Sequence, residues 1–369
     1  MRLPAGALPT LFLLAAAALG GAGDLAAQHV RGRATADPEG RPLPGALVSL
    51  LDAGGNTLTA ALSEADGSFR LTAPGPGSYT VRGDAVGLGG WSAAVSVGAE
   101  GVDVAAPFPP LSLDTGISPI RADDACRAPP AEAGRIRALW AEAEKVFRLV
   151  EWARTHGQVQ VEMETWYKSM EPRRLRVTEE ERTPRPGFHV DGRMPSPPAP
   201  ELAELGFVQG GGPGEALAFH GPDAATLLHP VFLATHCLGF EPAGPEAGWV
   251  GLTFVPRGGG EREVEGTLWL DAATGAPRRL EYRYTSLPWP IKTEKVGGGM
   301  ELAPLENGAW IVGRWWLRMP RVGVREERIT QWDPPRRRYT LTGVVEEGGV
   351  VTRVRLADGR IESLSPRDP

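Results

Sequence analysis

The sequence predicts a mainly β protein: an N-terminal β-sandwich followed by an α+β domain in which a long helix packs on a curved antiparallel sheet. Three observations predict it. Glycine (48 residues) and proline (35) are abundant and scattered as turn punctuation, not as a strict repeat, which favours many short strands. Through most of the chain apolar residues alternate with polar ones, the period of a half-buried strand. One segment alone exchanges that rhythm for the i, i+3, i+4, i+7 spacing of an amphipathic helix.

At 369 residues the chain can bury two ordinary cores, and 42% hydrophobic with 23% charged residues is normal for globular protein. The formal charge of −6 argues against a nucleic-acid partner, which needs a basic footprint. Short basic clusters such as Arg336-Arg337-Arg338 and Arg173-Arg174 are interleaved with acids and read as solvated faces.

Residues 1–27, "MRLPAGALPTLFLLAAAALGGAGDLAA", read as a secretory signal. Arg2 is the positive n-region, Leu8 to Leu19 the apolar core, and small residues lead to cleavage after Ala27. The apolar run, about twelve residues, is short for a bilayer span; an uncleaved anchor is the competing reading. No later segment is apolar enough to span a membrane as a helix, so the mature chain is expected to be exported, to the periplasm or the cell surface. The two cysteines, Cys126 and Cys237, are expected to form a disulfide. The alternatives are a free thiol or a ligand beside His236, though one Cys and one His make a poor metal cage.

Residues 28–113 form the first unit. "HVRGRATA" is a strand, "PEGRPLPGALVSLLD" a turn and a second strand, and "GNTLTAALSEADGSFRL" a hairpin turning at Asp66-Gly67. "GSYTVRGDAVG" and "WSAAVSVGAEGVDVAAPF" complete a sandwich of short, evenly spaced strands. "GRPLPGALVSLLD", "DGSFRL", "PGPGSYTV" and "AVGLGG" resemble the carboxypeptidase regulatory-like domain, a prealbumin-like or starch-binding-like sandwich common at the front of bacterial envelope proteins. The resemblance implies a fold and a place in a larger protein, not peptidase activity. Its motif residues are turn formers and core, so it brings no binding residues with it.

A Pro-rich linker, 114–129, leads to the second unit, 130–369. Ile136, Leu139, Trp140, Ala143, Val146, Phe147 and Val150 make one apolar stripe on a four-turn helix that ends at His156-Gly157. Alternating strands follow. "QVQVEMETWYK" puts Val159, Val161 and Met163 on one face, and "EVEGTLWLDAATGAPRRLEYRYTS" is a long hairpin. On the hairpin's polar face Glu263 and Glu265 stand against Arg279 and Arg283, suited to cross-strand ion pairs. Residues 183–214, rich in Pro and Gly, read as a loop with one short helical turn; a lid and a disordered segment are both open readings. "GPDAATLLHPVFLATHCLGFE" reads as two short helices split by Pro230 that return Cys237 toward Cys126. Helix plus sheet, with Trp269 and Asp271 in "GTLWLDAATGAPRRLEYRY", is similar to the lipoprotein-carrier half-barrels of the bacterial envelope. That resemblance implies a ligand-facing sheet.

No motif for catalysis emerges. None of the six histidines begins an HExxH or the HxxE of a zinc carboxypeptidase. His220 opens "HGPD", where Pro222 and Asp223 look like a helix start. His229 and His236 are seven apart, with Pro230 interrupting the helical spacing. There is no GxSxG, and the Gly runs lack a P-loop's Lys-Ser/Thr. Glu162 and Glu164 alternate with apolar residues as a solvated face does. No catalytic residue, metal site or cofactor is assigned.

Tryptophan is the unusual feature, with 11 residues. Trp166, Trp269 and Trp316 fall on the polar faces of their strands, with Arg314 and Arg318 alongside. Such a ring can pack under a neighbouring element, stack on a sugar or line a lipid groove. Trp315, on the opposite face with Ile311 and Leu317, reads as core. These five residues (Trp166, Trp269, Trp316, Arg314, Arg318) are the candidate ligand contacts. The expected function is a non-catalytic envelope protein that binds a lipid-like or glycan ligand, or another envelope protein. The alternative is an exported hydrolase whose site assembles His236, His220 and Glu162 from distant segments.

Overall fold

The computed structural model describes residues 28–112, 119–120, 126–190, 196–210, 217–260, 262–287, 295–327 and 336–364. The leader at 1–27 and most of the linker lie outside the described residues. The protein is mainly β, as the alternation predicts.

The N-terminal unit is a sandwich of two four-stranded sheets. One contains β1 (Gln28–Ala36), β2 (Arg41–Pro42), β5 (Ser68–Ala73) and β8 (Val102–Phe108); the other contains β3 (Leu47–Leu51), β4 (Thr57–Leu62), β6 (Gly77–Asp84) and β7 (Trp91–Val97). β8 runs parallel to β1, while the other pairs are antiparallel. Val30, Leu50, Phe69, Leu71, Val81 and Phe108 fill the space between the sheets. The stretch at 57–71, expected as a hairpin, is not one. Its turn at Asp66-Gly67 forms, with Gly67 donating to the Glu64 carbonyl at 2.8 Å, but β4 pairs with β3 and β5 with β1. The turn is a corner between sheets, because the inward faces of β4 and β5 belong to opposite walls of one core.

β3, "LVSLL", is buried at every position. Val48 and Leu50 serve the sandwich core, while Leu47 joins the core of the following domain. A strand covered on both faces loses its polar alternation. The second sheet of the sandwich is therefore an internal layer.

Helix α1 (Pro130–Thr155) begins with Pro at its first position and ends at His156, with Gly157 at φ 62°. Its 26 residues make it longer than the four turns expected, though all seven residues of the apolar stripe are buried. Each such burial contributes about 1.5–3 kcal/mol for the larger side chains. α1 packs against a ten-stranded antiparallel sheet that contains β9 (Val159–Met170), β10 (Val177–His189), β13 (His236–Glu241), β14 (Trp249–Pro256), β15 (Val264–Asp271), β16 (Pro277–Tyr284), β17 (Gly297–Pro304), β18 (Trp310–Glu327), β19 (Arg336–Leu356) and β20 (Ile361–Ser363). The order is β10-β9-β19-β18-β17-β16-β15-β14-β13, with β20 on β19. Val264, Leu268, Leu270, Leu280, Tyr282 and Tyr284 all point into the core, as their alternation predicts.

The Pro/Gly-rich stretch from Thr183, expected as a loop, first continues β10 to His189, pairing with β9. Prolines are accepted there because β10 is the sheet edge, where Pro184 and Pro186 can lack an N–H without breaking a ladder. Residues 191–195 and 211–216 lie outside the described residues; between them are α2 (Ala199–Leu205) and β11 (Val208–Gly210), which pairs with β12 (Leu217–Phe219). The two short helices split by Pro230 are α3 (Ala224–Leu228) and α4 (Pro230–Thr235). They deliver Cys237 to Cys126 in a disulfide with a Cα–Cα separation of 5.0 Å. Within the linker, Ile120 pairs with Phe240 and extends the β13 edge.

Candidate functional site

The outward tryptophans share one arrangement. Trp166 on β9 lies over Gly348 of β19, Trp316 on β18 over Gly299 of β17, and Trp269 on β15 over Gly251 of β14. A Cβ built on Gly348 or Gly299 would overlap the covering ring, and one on Gly251 would stand 2.7 Å from Trp269 Cζ3. Each ring leans across one strand in the same direction along the sheet. Two of them also anchor their N–H groups: Trp166 Nε1 donates to Glu346 at 3.0 Å and Trp269 Nε1 to Glu281 at 3.0 Å.

Trp166, Arg314 and Arg318 are brought together by this register. The Arg314 guanidinium lies 5.1 Å from the Trp166 ring centroid, and Arg318 binds Glu346 at 2.7 Å. Lys168 completes the cluster, 3.4 Å from Glu346. Burial alone would push the Glu346 carboxyl up, but Arg318, Lys168 and the Trp166 N–H outweigh it and hold it below the usual range. Trp316 stands between Arg314 and Arg318 on β18, whereas Trp269 sits three strands away on β15. The expected pair Arg283–Glu265 forms at 2.6 Å. Glu263 does not meet Arg279, which binds Glu301 at 3.1 Å instead. With no ion pair among the described residues, the half-buried Glu263 carboxyl is pushed up to about 7 by desolvation.

His236, His220 and Glu162 are not assembled. His236 is 2% exposed, stacked on Phe232 at 4.3 Å, with Nε2 3.1 Å from the Val264 carbonyl and Nδ1 3.2 Å from that of Phe232. Desolvation lowers its pKa to about 4. Glu162 is bound by Arg353 at 2.9 Å on β9, seven strands along the sheet from β13. His220 packs near Tyr284, whose hydroxyl donates to the His220 carbonyl at 2.8 Å, and its pKa is lowered by burial. Asp223 caps α3 by accepting from Thr226 N at 2.8 Å, and His229 Nδ1 caps α4 by accepting from Val231 N at 3.3 Å. Among the described residues no group of three His, Cys, Asp or Glu could hold a metal ion.

Sequence reading missed an opening on the side of the sheet that α1 covers. Between the C-terminal half of α1 and strands β9, β17 and β18 lies a cleft with about 620 Å³ of empty space, open solvent included. Val150, Val159, Val161, Met300, Ile311 and Trp315 line it, and its polar members include the Glu151–Arg154 ion pair at 2.8 Å. Its residues were legible singly as core. Nothing in their spacing marks a space left between them.

Two four-stranded sheets, with a closing strand parallel to the first and a Gly-tightened corner after β4, define the N-terminal unit. Residues 29–106 match the family model of the carboxypeptidase regulatory-like domain. The match ends within β8 and does not extend to α1 or the large sheet. A search of curated proteins gives no match to the chain. The regulatory-like domain docks on α1 through polar contacts: Lys145, 5% exposed, donates to the Leu88 carbonyl at 2.9 Å, and Arg148 binds Asp84 at 3.2 Å. No helix among the described residues is long and apolar enough to cross a membrane.

Proposed function

We propose that the protein is an exported, non-catalytic binding protein of the cell envelope that holds the apolar chain of a lipid-like ligand. The observation that carries this reading is the cleft beneath α1. Valine, isoleucine, methionine and tryptophan side chains line it, the largely apolar lining that small-molecule sites share. A buried apolar chain gains from leaving water, and the Glu151–Arg154 pair offers a polar group to a ligand's head. The Cys126–Cys237 bridge and the regulatory-like domain suit an exported chain. The periplasm and the cell surface both fit.

Native mass spectrometry of protein expressed through the periplasm, followed by organic extraction, tests the reading. A stoichiometric lipid-like adduct, displaced in the variant Val161→Trp, is the expected result. An empty protein that also takes up no fatty acid from solution would defeat it.

A further inference from the structure

A second, larger opening lies at the seam between the two domains, with about 1010 Å³ of empty space, open solvent included. Its walls come from four places in the chain. The sandwich corner after β4 contributes Glu64; the end of α1 contributes Trp152 and, just beyond, Gln158. The β17–β18 turn contributes Glu306 and Asn307, and the β19–β20 turn Arg360. Clefts between domains are common binding places because neither domain's own core closes them.

The chemistry of the lining selects among ligands. It mixes small apolar residues such as Ala60, Leu62 and Leu356 with charged and amide side chains, a lining that suits an amphipathic ligand better than a lipid tail. Carboxylates at Glu64, Glu306 and Asp358 face one guanidinium, Arg360, already bound to Asp358 at 2.6 Å, so anions are disfavoured. What remains is an aromatic ring, two amides and acceptor carboxylates. A sugar has an apolar C–H face for the ring and hydroxyls that donate to carboxylates and exchange bonds with amides. Two groups lack partners among the described residues. Trp152 Nε1 is buried and meets no acceptor, while its ring stacks on His156 at 5.4 Å. Asn307 uses Oδ1 to accept from Ala309 N at 3.0 Å, which leaves its Nδ2 donors at the cleft.

We propose that this seam is a saccharide-binding cleft, taking a short segment of a neutral glycan between the regulatory-like domain and the sheet domain. It is separate from the apolar cleft: on α1, Glu151 and Arg154 line that one, while Trp152 lines this one. The corner at Asp66-Gly67 then has a role beyond folding, because it sets Glu64 on the cleft wall.

The test is calorimetric and NMR titration of the full chain with three soluble probes: maltotetraose, cellotetraose and tetra-N-acetylchitotetraose. At least one is expected to bind, with saturation transfer to its ring protons. Glu64→Gln, on the sandwich side, and Glu306→Gln, on the sheet side, should each weaken it by about tenfold, the loss of one charge-assisted hydrogen bond. Both residues are solvent-exposed, so the variants should fold; equal melting temperatures would establish that. Binding of none of the three sugars would overturn the proposal, as would binding indifferent to both Glu variants. So would a lysine-rich peptide that displaces the sugar and binds more tightly.

Discussion

Gly45 of the sandwich and Gly308 of the β17–β18 turn meet backbone to backbone across the domain seam. Each has positive φ, 72° and 82°, and a Cβ built on either would overlap the other's Cα. Alanine at one position would cost at least about 1 kcal/mol for the left-handed conformation, and more for pushing the seam apart. Both substitutions need the same separation, so the double variant should lose less than the sum of the singles. Urea denaturation of Gly45→Ala, Gly308→Ala and the pair measures this. Strict additivity would show that the two glycines do not act on one contact.

Trp166 and Gly348 make the parallel case inside the sheet. If the ring is there to cover a strand glycine, Gly348→Ala must displace it and should destabilise the protein by about 1–3 kcal/mol, as overpacking does. In a Trp166→Ala background the same change should cost clearly less, since the ring is gone and only the Trp315 carbonyl oxygen, 2.7 Å from the added Cβ, still crowds it. A Gly348→Ala variant that melts as wild type, with unaltered tryptophan fluorescence, would sink the packing role.

The core was legible because its physics is local. The stripe from Ile136 to Val150 and the alternation of Leu268, Leu270, Leu280 and Tyr282 follow from element periods alone, and each of those residues is buried. What the sequence hides is partnership. "ALSEADGSFRL" reads as a hairpin because a turn sits between two strands, yet whether those strands pair depends on which wall of the core each faces. Pro184 and Pro186 read as loop because an edge strand looks like one until its single neighbour is known. The outward tryptophans were visible as an oddity, but the glycines beneath them lie from 17 to 182 positions away in sequence. Both clefts are gaps between elements, and a gap has no residue to announce it.

Removing the Cys126–Cys237 bridge should destabilise the protein by about 5 kcal/mol on the chain-entropy model, because it closes a loop of 111 residues. The double variant Cys126→Ser/Cys237→Ser, measured by urea denaturation beside the oxidised protein, reads this directly. The bridge ties the start of α1 to β13, so hydrogen exchange should rise first there and leave β9 and β19 protected. A loss under about 1 kcal/mol would show that the packing of α1 already holds those ends together.

His236 and Glu263 pull stability in opposite directions across the acid range. His236, with a folded pKa of about 4 against an ordinary 6.5, binds fewer protons folded than unfolded between those values. Its contribution is fully present above pH ~6.5 and falls by about 3 kcal/mol as pH drops toward 4. Glu263, raised to about 7 from 4.5, binds more protons when folded, so its burial favours the folded state below that window and opposes it as pH rises through it. In the wild type the two partly cancel between pH ~4.5 and 6.5. Glu263→Gln removes one side of the balance. That variant should gain stability near neutral pH and lose more than wild type on acidification, read as denaturation midpoints at pH 4.5, 5.5 and 7. An imidazole C–H resonance of His236 that titrates near 6.5 would refute the assignment, since burial of the ring against Phe232 outweighs the Phe232 and Val264 carbonyls, which favour the charged form.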